Sequence, residues 1–130
     1  MALSDTIQRI ARPGQIPLEI FLGGTGQSFR RDFQILAGDP SAAEDLTGVT
    51  PSAEIRTLDD SLIVAMTATV TDAANGWVRV TLTRATADAI EWPGDGPITG
   101  QRTTRGRWHL RLDDGTTSMP VLAGPVTVTR

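Results

Sequence analysis

From Gln15 onward, apolar residues recur at every second position, and that period calls for β-strands with one buried face. The closing stretch shows it best. Trp108, Leu110 and Leu112 alternate with His109 and Arg111, an Asp113-Asp114-Gly115 turn follows, and a β-branched run from Met119 to Val128 returns. An aromatic-led strand, an acidic-Gly turn and a returning strand make a hairpin, and nothing in that hairpin looks like chemistry.

The same period organises the rest of the chain. Ile16, Leu18, Ile20 and Leu22 alternate through a first strand, in which Pro17 favours an edge. Gly23-Gly24-Thr25-Gly26 reads as a hairpin turn into a second strand, Ser28 to Leu36. That strand places Phe29, Phe33 and Ile35 on one face with Arg31, a strand-end charge or the partner of an acid such as Glu54. A third strand, Ser52 to Leu58, meets a fourth, Leu62 to Val70, across Asp59-Asp60-Ser61, and Leu62, Val64, Met66, Ala68 and Val70 form its apolar face. After an Asn75-Gly76 turn, the fifth strand, Trp77 to Thr83, points Val78, Val80 and Leu82 inward and Arg79 and Thr81 outward. The period breaks over Thr83 to Glu91, a helical turn capped by Thr83 and expected to bridge two sheets. The loop from Gly94 to Gly106 has only Ile98 to anchor it and is expected to be the most mobile part of the chain. About seven strands with turns every eight to twelve residues predict an all-β sandwich over residues 15–130.

Residues 1–14 read as a separate N-terminal arm. Ser4 can cap a short helix with Leu3, Ile7, Ile10 and Ala11 on one side, ended by Arg12-Pro13-Gly14. A helix this short is unstable alone, so it must dock on its own domain or on a neighbour, or else stay disordered; its separate period favours the neighbour, and Leu3, Ile7 and Ile10 are expected to bind a partner.

Composition narrows the functional classes. Without cysteine there is no disulfide, no thiolate nucleophile and no Cys-type zinc site. A net charge of −3 argues against nucleic acid as a partner, although all 12 basic residues are Arg. The one local basic cluster, Arg102, Arg105 and Arg107, lies in a Gly/Thr-rich stretch and reads as a solvated loop. No apolar run is long enough for a membrane span, and polar residues interrupt any signal-peptide core near the N-terminus, so a product made in the cytoplasm that stays soluble is expected.

No catalytic, cofactor or metal constellation stands out. His109 is the sole histidine and reads as a surface-strand residue, while the doublets Asp59-Asp60 and Asp113-Asp114 have the chemistry of turns. Trp77 and Trp108 are expected to seal the ends of a sandwich core, and Trp92 to close the helical turn onto it. The alternative is that Trp92 and the neighbouring loop, with Arg102 and Arg105, form a surface contact able to take a glycan.

The order of the parts carries a resemblance. Gly26-x-Ser28-Phe29, Asp45-Leu46-Thr47-Gly48-Val49 leading into Ala53-x-Ile55-Arg56, Asn75-Gly76-Trp77-Val78, Leu82-Thr83 into an Ala-rich helical turn, and Trp108-x-Leu110-x-Leu112-Asp113-Asp114-Gly115 ending in Gly124-Pro125-Val126-Thr127-Val128 follow one another. Together they resemble immunoglobulin-like β-sandwich proteins of tailed bacteriophages, most of all the N-terminal domain of upper-baseplate proteins that attach receptor-binding proteins. The resemblance spans Gly14 to Arg130, with the Gly94–Arg105 loop expanded and no fibre or receptor domain after Val128. It implies a non-enzymatic virion protein, a tail, baseplate or fibre-attachment adaptor that binds other virion proteins and copies of itself. Capsid decoration, or carbohydrate binding at the host surface, are the alternatives.

Overall fold

The computed structural model describes residues 16–23, 27–36, 42–92 and 103–129. They form an all-β fold of seven strands and one helical turn: β1 (Leu18–Phe21), β2 (Gln27–Gln34), β3 (Thr50–Arg56), β4 (Leu62–Asp72), β5 (Trp77–Thr83), α1 (Arg84–Ala89), β6 (Thr103–Asp113) and β7 (Ser118–Thr129). The hydrogen-bonded order is β1-β7-β6-β3-β4-β5-β2. The order divides into the two layers of a β-sandwich, with β1, β3, β6 and β7 in one and β2 and β5 in the other.

The layers are joined through β4. Its first half, Leu62 to Met66, pairs with β3, and its second half, Thr67 to Asp72, pairs with β5. A strand that changes sheets in this way is the edge of each sheet in turn. Between the layers, Val78, Val80 and Leu82 of β5 and Phe33 of β2 lie in one core with Ile55, Trp108, Leu110, Leu112, Val126 and Val128. Phe33 stacks on Trp108 with ring centroids 5.6 Å apart. The inward residues of β5 are those expected from its alternation, and Thr83 caps α1 by accepting a hydrogen bond from the Thr86 amide.

Several expectations are corrected. Gly23–Gly26 is not a hairpin turn: β1 runs parallel to β7, in register from Leu18 with Val126 to Phe21 with Thr129, while β2 pairs with β5. The segment therefore carries the chain from one sheet to the other. Leu62 is 57% exposed, because a register shift at the start of β4 turns it out of the apolar face. Arg31 does not pair with Glu54; its guanidinium lies 5.5 Å from the ring centre of Phe33. Trp108 is within β6 and 1% exposed, whereas Trp77 begins β5 at the surface. Helix α1 packs on β2 and β5, strands of one layer, rather than bridging two. The arm with Leu3, Ile7 and Ile10 lies outside the described residues, as does most of the 94–106 loop. The end of that loop is strand: residues 103–106 belong to β6.

Close backbone approach fixes where β1 docks. Ile16 N donates to Ala123 O, and Trp108 Nε1 donates to Ile16 O at 2.9 Å. A Cβ on Gly124 would sit 1.9 Å from that same carbonyl oxygen, so only glycine allows the approach. Gly124→Ala is expected to push the Ile16–Pro17 backbone off β7 and cost about 1–3 kcal/mol through overpacking. Chemical denaturation would measure the loss, and an unchanged midpoint would mean that β1 docks without this contact.

Candidate protein-interaction site

The turn between β3 and β4 stands at one end of the sandwich and is held by its own polar groups. Thr57 N donates to Ser61 O at 2.8 Å, Asp60 N to Thr57 O at 3.0 Å, and Ser61 N to Thr57 Oγ1 at 3.0 Å. Asp60 takes a φ of 74°, a left-handed conformation that Asp adopts more readily than most residues. Asp59 accepts from the Thr57 hydroxyl, and that bond, with the Ser61 amide, holds its carboxyl below the ordinary aspartate range. The doublet thus has the turn chemistry expected of it, as does Asp113-Asp114: Asp113 Oδ1 accepts from Gly115 N, and Asp114 Oδ1 from the amides of Thr116 and Thr117.

This rigid turn and the start of β4 present apolar side chains to solvent. Leu58 is 65% exposed and Leu62 57%. They face different surroundings. Leu58 borders a groove of about 630 Å³ between the turn, Arg107 of β6 and Ala123-Gly124-Pro125 of β7. Leu62 borders a second groove, between α1 and the edge of the first half of β4 that pairs with no strand among the described residues, lined by Ile63, Val64, Ala89 and Ile90.

A charged cluster adjoins the first groove on the outer face of β3 and β6. Glu54 and His109 are register partners, as are Arg56 and Arg107. Arg56 Nε donates to Glu54 Oε1 at 2.7 Å, and its other guanidinium arm donates to Asp60 O at 2.8 Å, tying the turn to the sheet. His109 Nε2 lies 2.9 Å from the same Glu54 oxygen, so the histidine read as a plain surface residue has a specific carboxylate partner. The Arg56 hydrogen bond is the main reason that the Glu54 carboxyl lies below its ordinary range, opposed by partial burial.

A carboxyl whose pKa falls on folding stabilises the fold above its unfolded pKa, and that contribution is lost as pH falls through the folded pKa. Glu54→Gln is therefore expected to lower the denaturation midpoint modestly at neutral pH, with the two proteins converging in strong acid. A difference that persists undiminished in acid would show that packing, not charge, makes Glu54 matter.

Of the residues proposed from sequence as surface contacts, Arg105 and Trp92 are among the described residues. Arg105 is only 6% exposed, because it falls at the register shift between Thr104 and Gly106 and its side chain is buried. This corrects its reading as a solvated loop cation. Trp92 is half-buried against the core, as expected of a residue closing the helical turn, and its indole N–H faces no solvent. Arg102, Leu3, Ile7 and Ile10 lie outside the described residues. The Leu58 and Leu62 pair escaped the sequence reading, since periodicity assigned Leu62 to the core and Leu58 to the end of a strand. No protein-family model matches the chain, and no curated protein matches its sequence.

Proposed function

We propose that this chain is a non-enzymatic structural protein of a tailed bacteriophage particle, working as a tail, baseplate or fibre-attachment adaptor through protein–protein contact. The observation that carries the reading is the β3–β4 turn: Leu58 on a turn fixed by internal hydrogen bonds and Leu62 at the start of β4, both more than half exposed, beside a strand edge that is unpaired among the described residues. Single exposed apolar residues are ordinary on protein surfaces, but two of them on and beside a pre-ordered turn flanked by grooves offer a partner buried area with little ordering cost. That edge of β4, unpaired among the described residues, adds main-chain groups for strand pairing. The resemblance of the ordered motifs to upper-baseplate sandwich domains suggests the particle context.

The test is biochemical fractionation of particles from the source that encodes the chain. Mass spectrometry of purified particles is expected to find it in fixed ratio to a tail protein, and Leu58→Asp with Leu62→Asp to remove it from particles while the isolated domain keeps its melting temperature. Its presence in infected cells but not in particles would overturn the proposal.

A further inference from the structure

We infer that the outer face of β3, β6 and β7 binds an acidic, extended segment of a protein partner, with the segment's carboxylates meeting Arg107 and Arg111 and an apolar side chain meeting Leu58. The inference rests on the assembly reading above and specifies the chemistry of the partner.

Two arginines on this face, Arg107 and Arg111, are not engaged by its carboxylates: Glu54 and Asp60 lie against Arg56, and Asp113 accepts from the Gly115 amide. Arg107 stands directly opposite Arg56 in the β3–β6 register, and like charges facing across strands are destabilising. Arg56 is compensated by Glu54 at 2.7 Å and by Asp60 at 4.0 Å, and the same Glu54 oxygen also meets His109, so the carboxylates of this cluster are engaged on the Arg56 side. Arg107 and Arg111 show no ion pair or hydrogen bond from their side chains among the described residues. Arg107 is thus held at a cost to the strand pairing and Arg111 faces only Ser52 on β3, so both guanidiniums stand ready for an outside anion.

The surroundings decide the class of anion. On β7, Pro125 is the register partner of Arg107 and Pro120 that of Arg111. Each guanidinium therefore neighbours an apolar ring, and the groove at Arg107 has exposed Leu58 on its far wall. Arg107, His109 and Arg111 alternate on one strand face, so Arg107 and Arg111 are about 13 Å apart along it, the span of four residues of an extended peptide. A guanidinium binds carboxylate bidentately, and an apolar wall rewards an acidic segment that also carries leucine-like side chains. Nucleic acid fits less well, because two uncompensated cations on a net-acidic protein give little counterion release.

The experiment uses the full chain with labelled arginine side chains and three probes: an acetylated Asp-Leu-Glu-Leu-Asp peptide, its Asn-Leu-Gln-Leu-Asn counterpart, and a mixed-sequence single-stranded DNA. The acidic peptide is expected to shift the Nε–Hε signals of Arg107 and Arg111 saturably, and to bind more tightly than either other probe. Arg107→Gln with Arg111→Gln is expected to weaken it by about tenfold or more, and Arg30→Gln, an exposed cation in the other layer, to leave it unchanged. The double variant is expected to melt no lower than the parent, since it relieves the Arg56–Arg107 repulsion, so loss of binding is separable from loss of fold. No saturable shift, an equal loss in Arg30→Gln, or tighter binding of DNA would each overturn the inference. If the double variant still enters particles as the parent does, this face is not the contact and the adaptor reading stands without it.

Discussion

Trp108→Ala is expected to lower the unfolding free energy by about 3–5 kcal/mol, the range for removing a fully buried large aromatic residue. Trp108 is 1% exposed, stacks on Phe33 across the two layers, and donates its indole N–H to Ile16 O at 2.9 Å. The substitution thus opens a cavity, removes an aromatic pair and takes the indole donor from a part-buried carbonyl. Trp108→Phe separates these losses, since it keeps most of the apolar volume but not the N–H, and its cost is expected to be about 1–3 kcal/mol. The Ile16 bond also predicts where the damage concentrates. Amide exchange in β1, which is held by β7 along one side and by Trp108 at its start, is expected to quicken more than exchange in β5. A cost below about 1 kcal/mol for the alanine variant would remove Trp108 from the centre of the core.

What could be read from the sequence was mostly local. Alternation over Val78, Val80 and Leu82 sets which face of β5 is buried, because each inward residue is two positions from the next whatever the strand pairs with. The Asp113-Asp114-Gly115 turn is equally local, with carboxylates caught by amides two or three residues on, and it joins β6 to β7 as expected. The expectation for Gly23–Gly26 failed for a matching reason: it assumed that consecutive strands pair. Nothing near Leu18 indicates that its partner is Val126, more than a hundred residues away and parallel. Leu62 illustrates a subtler limit, since one register shift is enough to turn an alternating residue outward, and such shifts leave no mark in composition.

The candidate site was hidden for the same reason. Glu54 and Arg56 could be seen to alternate with buried Ala53 and Ile55, and His109 with buried Trp108 and Leu110, so each was legible as an outward residue of its own strand. That Glu54 meets His109, and Arg56 meets Arg107, depends on the β3–β6 register, which joins segments about fifty residues apart. Arg105 shows the converse error. Its Gly/Thr-rich neighbours suggested solvent, but residues 103–106 are completed as a strand by pairing with β7, and the register shift beside Gly106 buries the side chain.

Leu82→Ala tests the register of the second layer and is expected to cost about 2–5 kcal/mol, through lost burial and the cavity left in a close-packed interior. Leu82 is 3% exposed, next in the inward series after Val78 and Val80, and β5 is flanked on both sides, by β4 and β2, so the backbone has little freedom to collapse into the space. Arg79 is the control from the same strand. It points outward and pairs with Asp32 on β2 at 2.9 Å, but both side chains are more than a third exposed. Solvent screening limits such a pair to about 0–1 kcal/mol, so Arg79→Ala is expected to cost far less than Leu82→Ala. The two positions differ by an odd number of residues, and a register off by one would exchange their faces and hence their costs. Chemical denaturation of both variants decides between the registers: a larger loss for Arg79→Ala would require β5 to be turned over, which would expose Val78 and Val80 and leave Phe33 without its neighbours in the core.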